Sequence, residues 1–337
     1  MAENLPILLL KIGGAVLGLL TIVAYTVLLE RRVAAWIQDR VGPNRVGPLG
    51  LMQPIADFIK LVTKEDLLPA YANKIYYVLA PALVMIPSLL VIGVIPWGSY
   101  LGEVKCVIAD IDTGVLFVFA ISSLAVYGIV LAGWSSNSKY PFLGAIRSSA
   151  QMISYEVCLG LSVVSIIMQA GTLNLSNIVE YQAAHTWLAV CQPVAFFIFV
   201  VSAFAETNRL PFDFPEAEQE LAGGYNIEYS SMKFALFFMG EYANMTIASA
   251  LAATLFLGGW SLPFEPFNAP AQTLWVGIAH IGIFLAKVMA FLFFFIWVRW
   301  TLPRFRYDQL MRIGWNVMLP LALINVFATG AILLWRG

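Results

Sequence analysis

Runs of about twenty apolar residues recur along this chain, and they decide its surroundings before any other feature does. A helix that rises about 1.5 Å per residue needs about 20 such residues to cross a hydrocarbon layer of about 30 Å. Runs of this kind fall at 12–29, 75–97, 113–134, 151–170, 186–205, 234–260, 273–298 and 313–335. Only 12% of the 337 residues are charged and 60% are hydrophobic, whereas soluble domains carry about 25% and about 45–50%. So little charge cannot cover a water-facing surface, and 23 Phe, 13 Tyr and 10 Trp exclude a disordered chain. The composition predicts an all-α integral membrane protein with eight transmembrane helices. With no charge-rich tail, low-complexity tract or internal repeat, residues 1–337 read as a single polytopic domain.

The ends of the runs set the orientation. Tyr76, Trp97, Trp134, Trp187, Trp260, Trp275, Trp315 and Trp335 stand where an interfacial aromatic belt is expected. The first run lacks a basic start and ends in Glu30-Arg31-Arg32 instead of a small-residue cleavage site, so it reads as an uncleaved span. The segments 31–74, 135–150, 206–233 and 299–312 hold fifteen of the 19 cations and therefore face the cytoplasm, which leaves both termini outside. A formal net charge of -1 with scattered cations excludes a nucleic-acid partner. Cys106, Cys158 and Cys191 form no C-x-x-C pair, so the chain is expected to hold no zinc or iron–sulfur cluster. His185 and His280 read as packing residues in preference to haem ligands.

Two cytoplasmic segments stand out. In 34–72, the doubled Val-Gly-Pro of 41–48 fixes two turns. Beyond it, Leu51, Met52, Ile55, Phe58, Ile59 and Val62 share one helical face, with Asp57, Lys60 and Lys64 opposite. This is the pattern of an interfacial amphipathic helix, which either rests on headgroups or floors an entrance from lipid. In 206–232, Glu206, Asp213, Glu216, Glu218, Glu220 and Glu228 meet only Arg209. The stiff, apolar 211–215 argues against a free solvated loop, and Glu216 and Glu220 would repel on one helical face unless one keeps its proton. Crowded carboxylates of this kind titrate as a set and can store protons. Within the spans, Glu156, Glu241, His280 and Lys287 are ionisable, at about 2.5–3.5 kcal/mol each near a helix centre. They suggest a buried polar line whose cargo is a proton or another small cation.

At this point the residues resemble a known family. Glu30-Arg31-Arg32, the lip Gln38-Asp39-Arg40-Val41-Gly42-Pro43-Asn44-Arg45 with Gly47-Pro48, and Gln53-Pro54-Ile55-Ala56-Asp57 are similar to the quinone-site membrane subunits of respiratory complex I. So is the second string, Ala205-Glu206-Thr207-Asn208-Arg209-Leu210-Pro211-Phe212-Asp213, followed by Glu216, Glu218, Glu220, Gly224-Tyr225-Asn226 and Glu228-Tyr229. The resemblance implies a subunit without a redox centre, in a bacterial inner membrane with periplasmic termini. It implies a proton-translocating NADH-quinone oxidoreductase in which a peripheral-arm subunit supplies the iron–sulfur cluster and quinone enters from lipid as substrate. Small membrane subunits and antiporter-like subunits would be neighbours. By the same carry-over, Arg31, Asp57, Glu206, Arg209 and Phe212 belong to the quinone chamber, with Glu30 and Asp213 beside it. Glu156, Glu216, Glu218, Glu220, Glu228 and Glu241 form the acidic proton path, while His280 and Lys287 lie outside both motifs. The rival readings are a secondary ion transporter or channel, against which the prolines show no paired broken helices, and the matching subunit of a ferredoxin-fed dehydrogenase or membrane-bound hydrogenase.

Overall fold

The structure, a computed structural model, describes residues 5–102, 104–213, 223–265 and 267–336. Their helices are α1 (Leu5–Ile37), α2 (Gln53–Thr63), α3 (Lys74–Val91), α4 (Gly114–Ser135, slackened at Ser123), α5 (Lys139–Ala170), α6 (Leu175–Ala184), α7 (Pro193–Glu206), α8 (Ser231–Phe256), α9 (Leu274–Thr301) and α10 (Tyr307–Trp335). A short hairpin pairs Tyr100 with Lys105 and Leu101 with Val104. Six helices are long and apolar enough to cross a membrane: α1, α3, α4, α5, α9 and α10.

The other two expected spans fall on α7 and α8, and each departs from the simple pattern for a physical reason. The run 186–205 is not one helix. Gln192 adopts φ -130° and ψ 59°, and Pro193, which has no N–H to donate, starts a helix of only 14 residues. That is about 21 Å of rise, short of a bilayer core. Helix α8 is 26 residues long, but Glu241 and Asn244 dilute its apolar character. It lies at the centre of the bundle and is buried nearly all round from Ala243 to Phe256. The segment 135–150, expected as a loop, is largely helical, because α5 starts at Lys139 and runs for 32 residues.

Small residues set the helix spacing. A Cβ on Gly128 of α4 would meet Val84 of α3 at 2.6 Å, and one on Gly240 of α8 would meet the same valine at 2.8 Å. Val84 is thus wedged between two glycines, one of them beside Glu241, the close approach that lipid-buried helices use in place of a hydrophobic driving force. In α10 the ladder widens to a π turn over Gly314–Met318. There the Tyr155 ring lies against Gly314, and its hydroxyl donates to the Leu310 carbonyl at 3.0 Å. An inserted side chain is a recognised cause of such a bulge.

At the cytoplasmic end predicted by charge, the lip folds back on α1. The Arg32 guanidinium donates to the Leu49 carbonyl. Gly50 has φ 75°, and a Cβ there would sit 2.3 Å from the Pro43 carbonyl oxygen, so only glycine fits. In α2 no residue is buried, and Ile55, Phe58, Ile59 and Val62 are all exposed along one side.

Candidate functional site

Successive residues on a helix point about 100° apart, so Glu30 and Arg31 at the end of α1 face different neighbours. Glu30 turns inward and is ion-paired to Arg299 of α9. It also accepts a hydrogen bond from the Tyr242 hydroxyl of α8 at 2.7 Å. Arg31 turns outward and pairs with Asp57 of α2 at 2.7 Å, where Gln53 donates to the same carboxylate at 3.2 Å.

Arg209 completes the inner cluster. It sits on the turn that follows α7, where Asn208 has φ 50° and the Arg209 amide donates to the Phe204 carbonyl at 3.3 Å. Its guanidinium lies 3.9 Å from Glu30, 4.0 Å from Glu241 and 4.1 Å above the Tyr242 ring. Glu241 in turn accepts from the Tyr225 hydroxyl at 2.9 Å. Arg209 is 3% exposed, Glu30 7% and Glu241 6%. Charges buried this deeply cost several kcal/mol apiece unless they pair, and the arrangement alternates their signs so that each has an opposite neighbour. Its energy is therefore sensitive to any proton or charge placed beside it.

A cavity of about 430 Å³ adjoins the cluster, lined by Leu210, Asp213, Asn226, Tyr229, Arg299 and Arg304 among others, with Phe234 and Phe238 on its apolar side. Arg304 reaches Asp213 at 3.4 Å. Tyr229 stacks face to face on Tyr77 at 4.0 Å, and burial pushes its phenol up to about 12, against the hydroxyls of Ser135 and Ser136. It therefore stays a neutral hydrogen-bonding group at physiological pH. A second, smaller cavity of about 30 Å³, enough for about two waters, opens among α4, α5, α7 and α8 with Glu206, Thr207 and Asn244 on its wall. Glu206 faces Glu156 of α5 as a like charge.

Of the chamber residues expected from sequence, Arg209 stands in the inner cluster, Arg31 and Asp57 form their own pair at α2, and Glu206 borders the smaller cavity. Phe212 is packed between Tyr155 and Phe305, at 6.1 and 5.6 Å between ring centres. Glu30 joins the cluster and Asp213 the larger cavity. On the acidic path, Glu241 is in the cluster, Glu156 is half-buried, and the backbone carbonyl of Glu228 accepts from the Tyr77 hydroxyl at 2.5 Å. Glu216, Glu218 and Glu220 lie outside the described residues.

His280 and Lys287, expected on one polar line with Glu241, have close partners of their own. His280 is fully buried, 2.7 Å from the Ser99 hydroxyl, with its ring on Trp260 at 4.5 Å. Lys287 donates to the carbonyls of Leu257, Gly259 and Ser261 at 2.6, 2.9 and 2.6 Å and lies 4.8 Å from the Trp187 ring. All three ammonium protons are thereby engaged. Gly258 and Gly259, both left-handed, turn the chain just past α8, and the lysine satisfies the carbonyl of its C-cap, Leu257, and two more in the turn that follows. The sequence motifs include Tyr225 without giving it a role, and Arg299, Arg304 and Tyr242 lie outside them. The six acids facing one base in 206–228 were the available signal, because buried acids require cations from elsewhere in the fold. Among the described residues, no group of three or more His, Cys, Asp or Glu is placed to hold a metal ion.

A bundle of apolar helices enclosing a carboxylate–guanidinium cluster beside a polar cavity defines a membrane protein with a buried ionic centre. Comparison with known proteins gives the family. The NADH dehydrogenase family model matches residues 10–330. The chain is 53% identical over 339 residues to an H-type NADH-quinone oxidoreductase subunit of Geobacter metallireducens, covering 99% of both chains. It is 52% identical to an H-type subunit of Geobacter sulfurreducens, covering 96% of each, and 53% identical to the H-type subunit of Rickettsia typhi, covering 98% of this chain and 95% of the relative. The chain belongs to the NADH dehydrogenase family, as an H-type membrane subunit of NADH-quinone oxidoreductase, respiratory complex I.

Proposed function

We propose that this chain forms much of the quinone-binding chamber of complex I and its entrance from lipid, and that its buried carboxylates couple quinone reduction to proton translocation. It has no redox centre of its own in this reading. Electrons arrive from an iron–sulfur cluster in a neighbouring subunit, and antiporter-like and small membrane subunits flank the chain. The reading includes eight spans, with α7 and α8 as the two that composition and length leave short, in a bacterial inner membrane with both termini periplasmic. Helix α2 lies in the cytoplasmic interface, its exposed Ile55, Phe58, Ile59 and Val62 in the lipid, as one wall of the entrance.

The observation that carries the proposal is the contact between the 430 Å³ cavity and the alternating cluster Arg299–Glu30–Arg209–Glu241. Two electrons on a quinone headgroup create negative charge that must be met by protons or cations in a low-dielectric site. Arg299 and Arg304 line the cavity and can meet it. Attraction of Arg299 toward the cavity weakens its hold on Glu30, and Glu30 then competes with Glu241 for Arg209. Each step changes how readily a carboxylate holds a proton, so the cluster converts charge on the substrate into proton movement toward Glu241, Glu206 and Glu156.

The test is Arg209→Met and Glu206→Gln in assembled membranes, with quinone reduction and proton pumping both measured. Each substitution is expected to lower the rate by about 10²-fold, as when a positioned charge is removed from a buried site. Full assembly with normal rate and normal pumping in either variant would show that its residue has no such role.

A further inference from the structure

One side chain of α5 reaches both ends of the turn that carries Arg209. Gln151 lies on α5, wholly buried, five residues before Glu156. Its Nε2 donates to the carbonyl of Ala205 and to the carbonyl of Phe212, each at 2.8 Å. Carbonyls only accept, so the two partners fix which end of the amide faces them. The Ala205 carbonyl belongs to the last turn of α7, beyond the regular helical ladder, where the backbone amide of Asn208 reaches it only at 3.4 Å. The Phe212 carbonyl lies seven residues further on. One amide group therefore closes both ends of the segment that holds Glu206 and Arg209. The same face of α5 adds Ser148, whose hydroxyl donates to the Asn208 side chain at 3.3 Å, and Met152, whose sulfur accepts from it at 3.4 Å.

Packing alone does not account for a glutamine here. With Nε2 so engaged, Oε1 is buried and has no hydrogen-bond partner among the described residues. An unsatisfied buried carbonyl lowers stability, and an apolar side chain of similar volume would avoid that cost. What the amide alone supplies is a pair of donors set to grip two carbonyls at once. We infer that Gln151 is a positioning residue: it seats the Arg209 turn so that the guanidinium lies between Glu30 and Glu241. This inference rests on the chamber reading above, in which Arg209 serves quinone reduction.

The experiment compares Gln151→Leu, Gln151→Glu, Arg209→Met and the double variant Gln151→Leu/Arg209→Met in the assembled complex. Assembly is followed on native gels and by NADH oxidation with an artificial acceptor that bypasses the quinone. Quinone-reductase kcat and KM are then measured across pH. Gln151→Leu is expected to assemble and to lose about ten- to hundredfold in rate, the usual consequence of a misplaced group. The double variant should be no slower than Arg209→Met, because a residue acting through Arg209 adds nothing once Arg209 is gone. Gln151→Glu should be slow at neutral pH and recover partly on acidification, since only the protonated acid has an O–H to donate. The wild type should show no such recovery.

Losses that multiply in the double variant, or a Gln151→Leu enzyme at full rate beside a slow Arg209→Met, overturn the positioning role and leave the chamber reading standing. Full rate in both single variants overturns the chamber reading and the positioning role with it. A Gln151→Leu enzyme slowed beside an unaffected Arg209→Met likewise shows that Gln151 does not act through Arg209. Should Gln151→Leu fail to assemble, Gln151→Glu combined with Arg209→Met gives the same comparison, and a pH profile of Gln151→Glu matching wild type refutes the inference.

Discussion

Glu30 serves two cations at once, Arg299 directly through Oε1 and Arg209 at 3.9 Å through Oε2, the oxygen to which the Tyr242 hydroxyl also donates. Glu30→Gln keeps the shape and an acceptor but removes the charge, leaving the buried Arg209 and the part-buried Arg299 with less carboxylate between them. Breaking a buried pair in this way costs about 3 kcal/mol or more. The variant complex is expected to dissociate at lower temperature than wild type in a thermal shift series, and Glu30→Gln/Arg299→Gln should recover part of the loss by removing the uncompensated cation. A double variant less stable than either single one would show that the pair is not the energetic unit. Arg31, one residue along, tests differently. Its pair with Asp57 is partly exposed, and such pairs contribute about 0–1 kcal/mol. Its value lies in tying α2 to α1.

At the scale of elements, α8 and α9 are joined at two levels. Arg299 of α9 meets Glu30, which shares Arg209 with Glu241 of α8, and Lys287 of α9 caps the far end of α8. Lys287→Met would leave the carbonyls of Leu257, Gly259 and Ser261 without their donor, at about 1–3 kcal/mol for each one left unsatisfied. The expected outcome is a less stable complex in which the surviving fraction pumps the normal number of protons per electron. A stable complex with fewer protons pumped would instead make Lys287 a relay. Sequence placed Lys287 and His280 on one helical face but could not show what faced them, because the glycine turn that presents three carbonyls comes from a different segment. The α7 boundary was legible only in part. Gln192-Pro193 interrupts the apolar run 186–205, but a proline suits either a helix start or a kinked span, and the backbone at Gln192 decides for the start.

For the whole molecule, the family places the chain in a multi-subunit oxidoreductase. Its surface agrees with burial among other apolar surfaces: less than a fifth of the apolar windows of α1 and α10 is covered by the chain itself. Gentle extraction from membranes is therefore expected to release the chain only within a large iron–sulfur assembly. Recovery of a lone, folded chain with ion-transport activity would favour the transporter reading.

Sequence alone determined the environment and the family. Apolar run length is a local property set against a fixed bilayer thickness, and the two motif strings are contiguous in the chain. It also marked Glu156 and Glu241, because an ionisable residue in an apolar run is costly wherever it faces. Tertiary structure decided which of those charges meet. Arg209, Glu30, Glu241 and Arg299 come from four separate segments, and their pairing depends on helix rotation and on glycine-set spacing that no local pattern encodes. The same holds for Gln151, an unremarkable polar residue in sequence, whose role exists only because α5 brings its amide to two carbonyls more than fifty residues away.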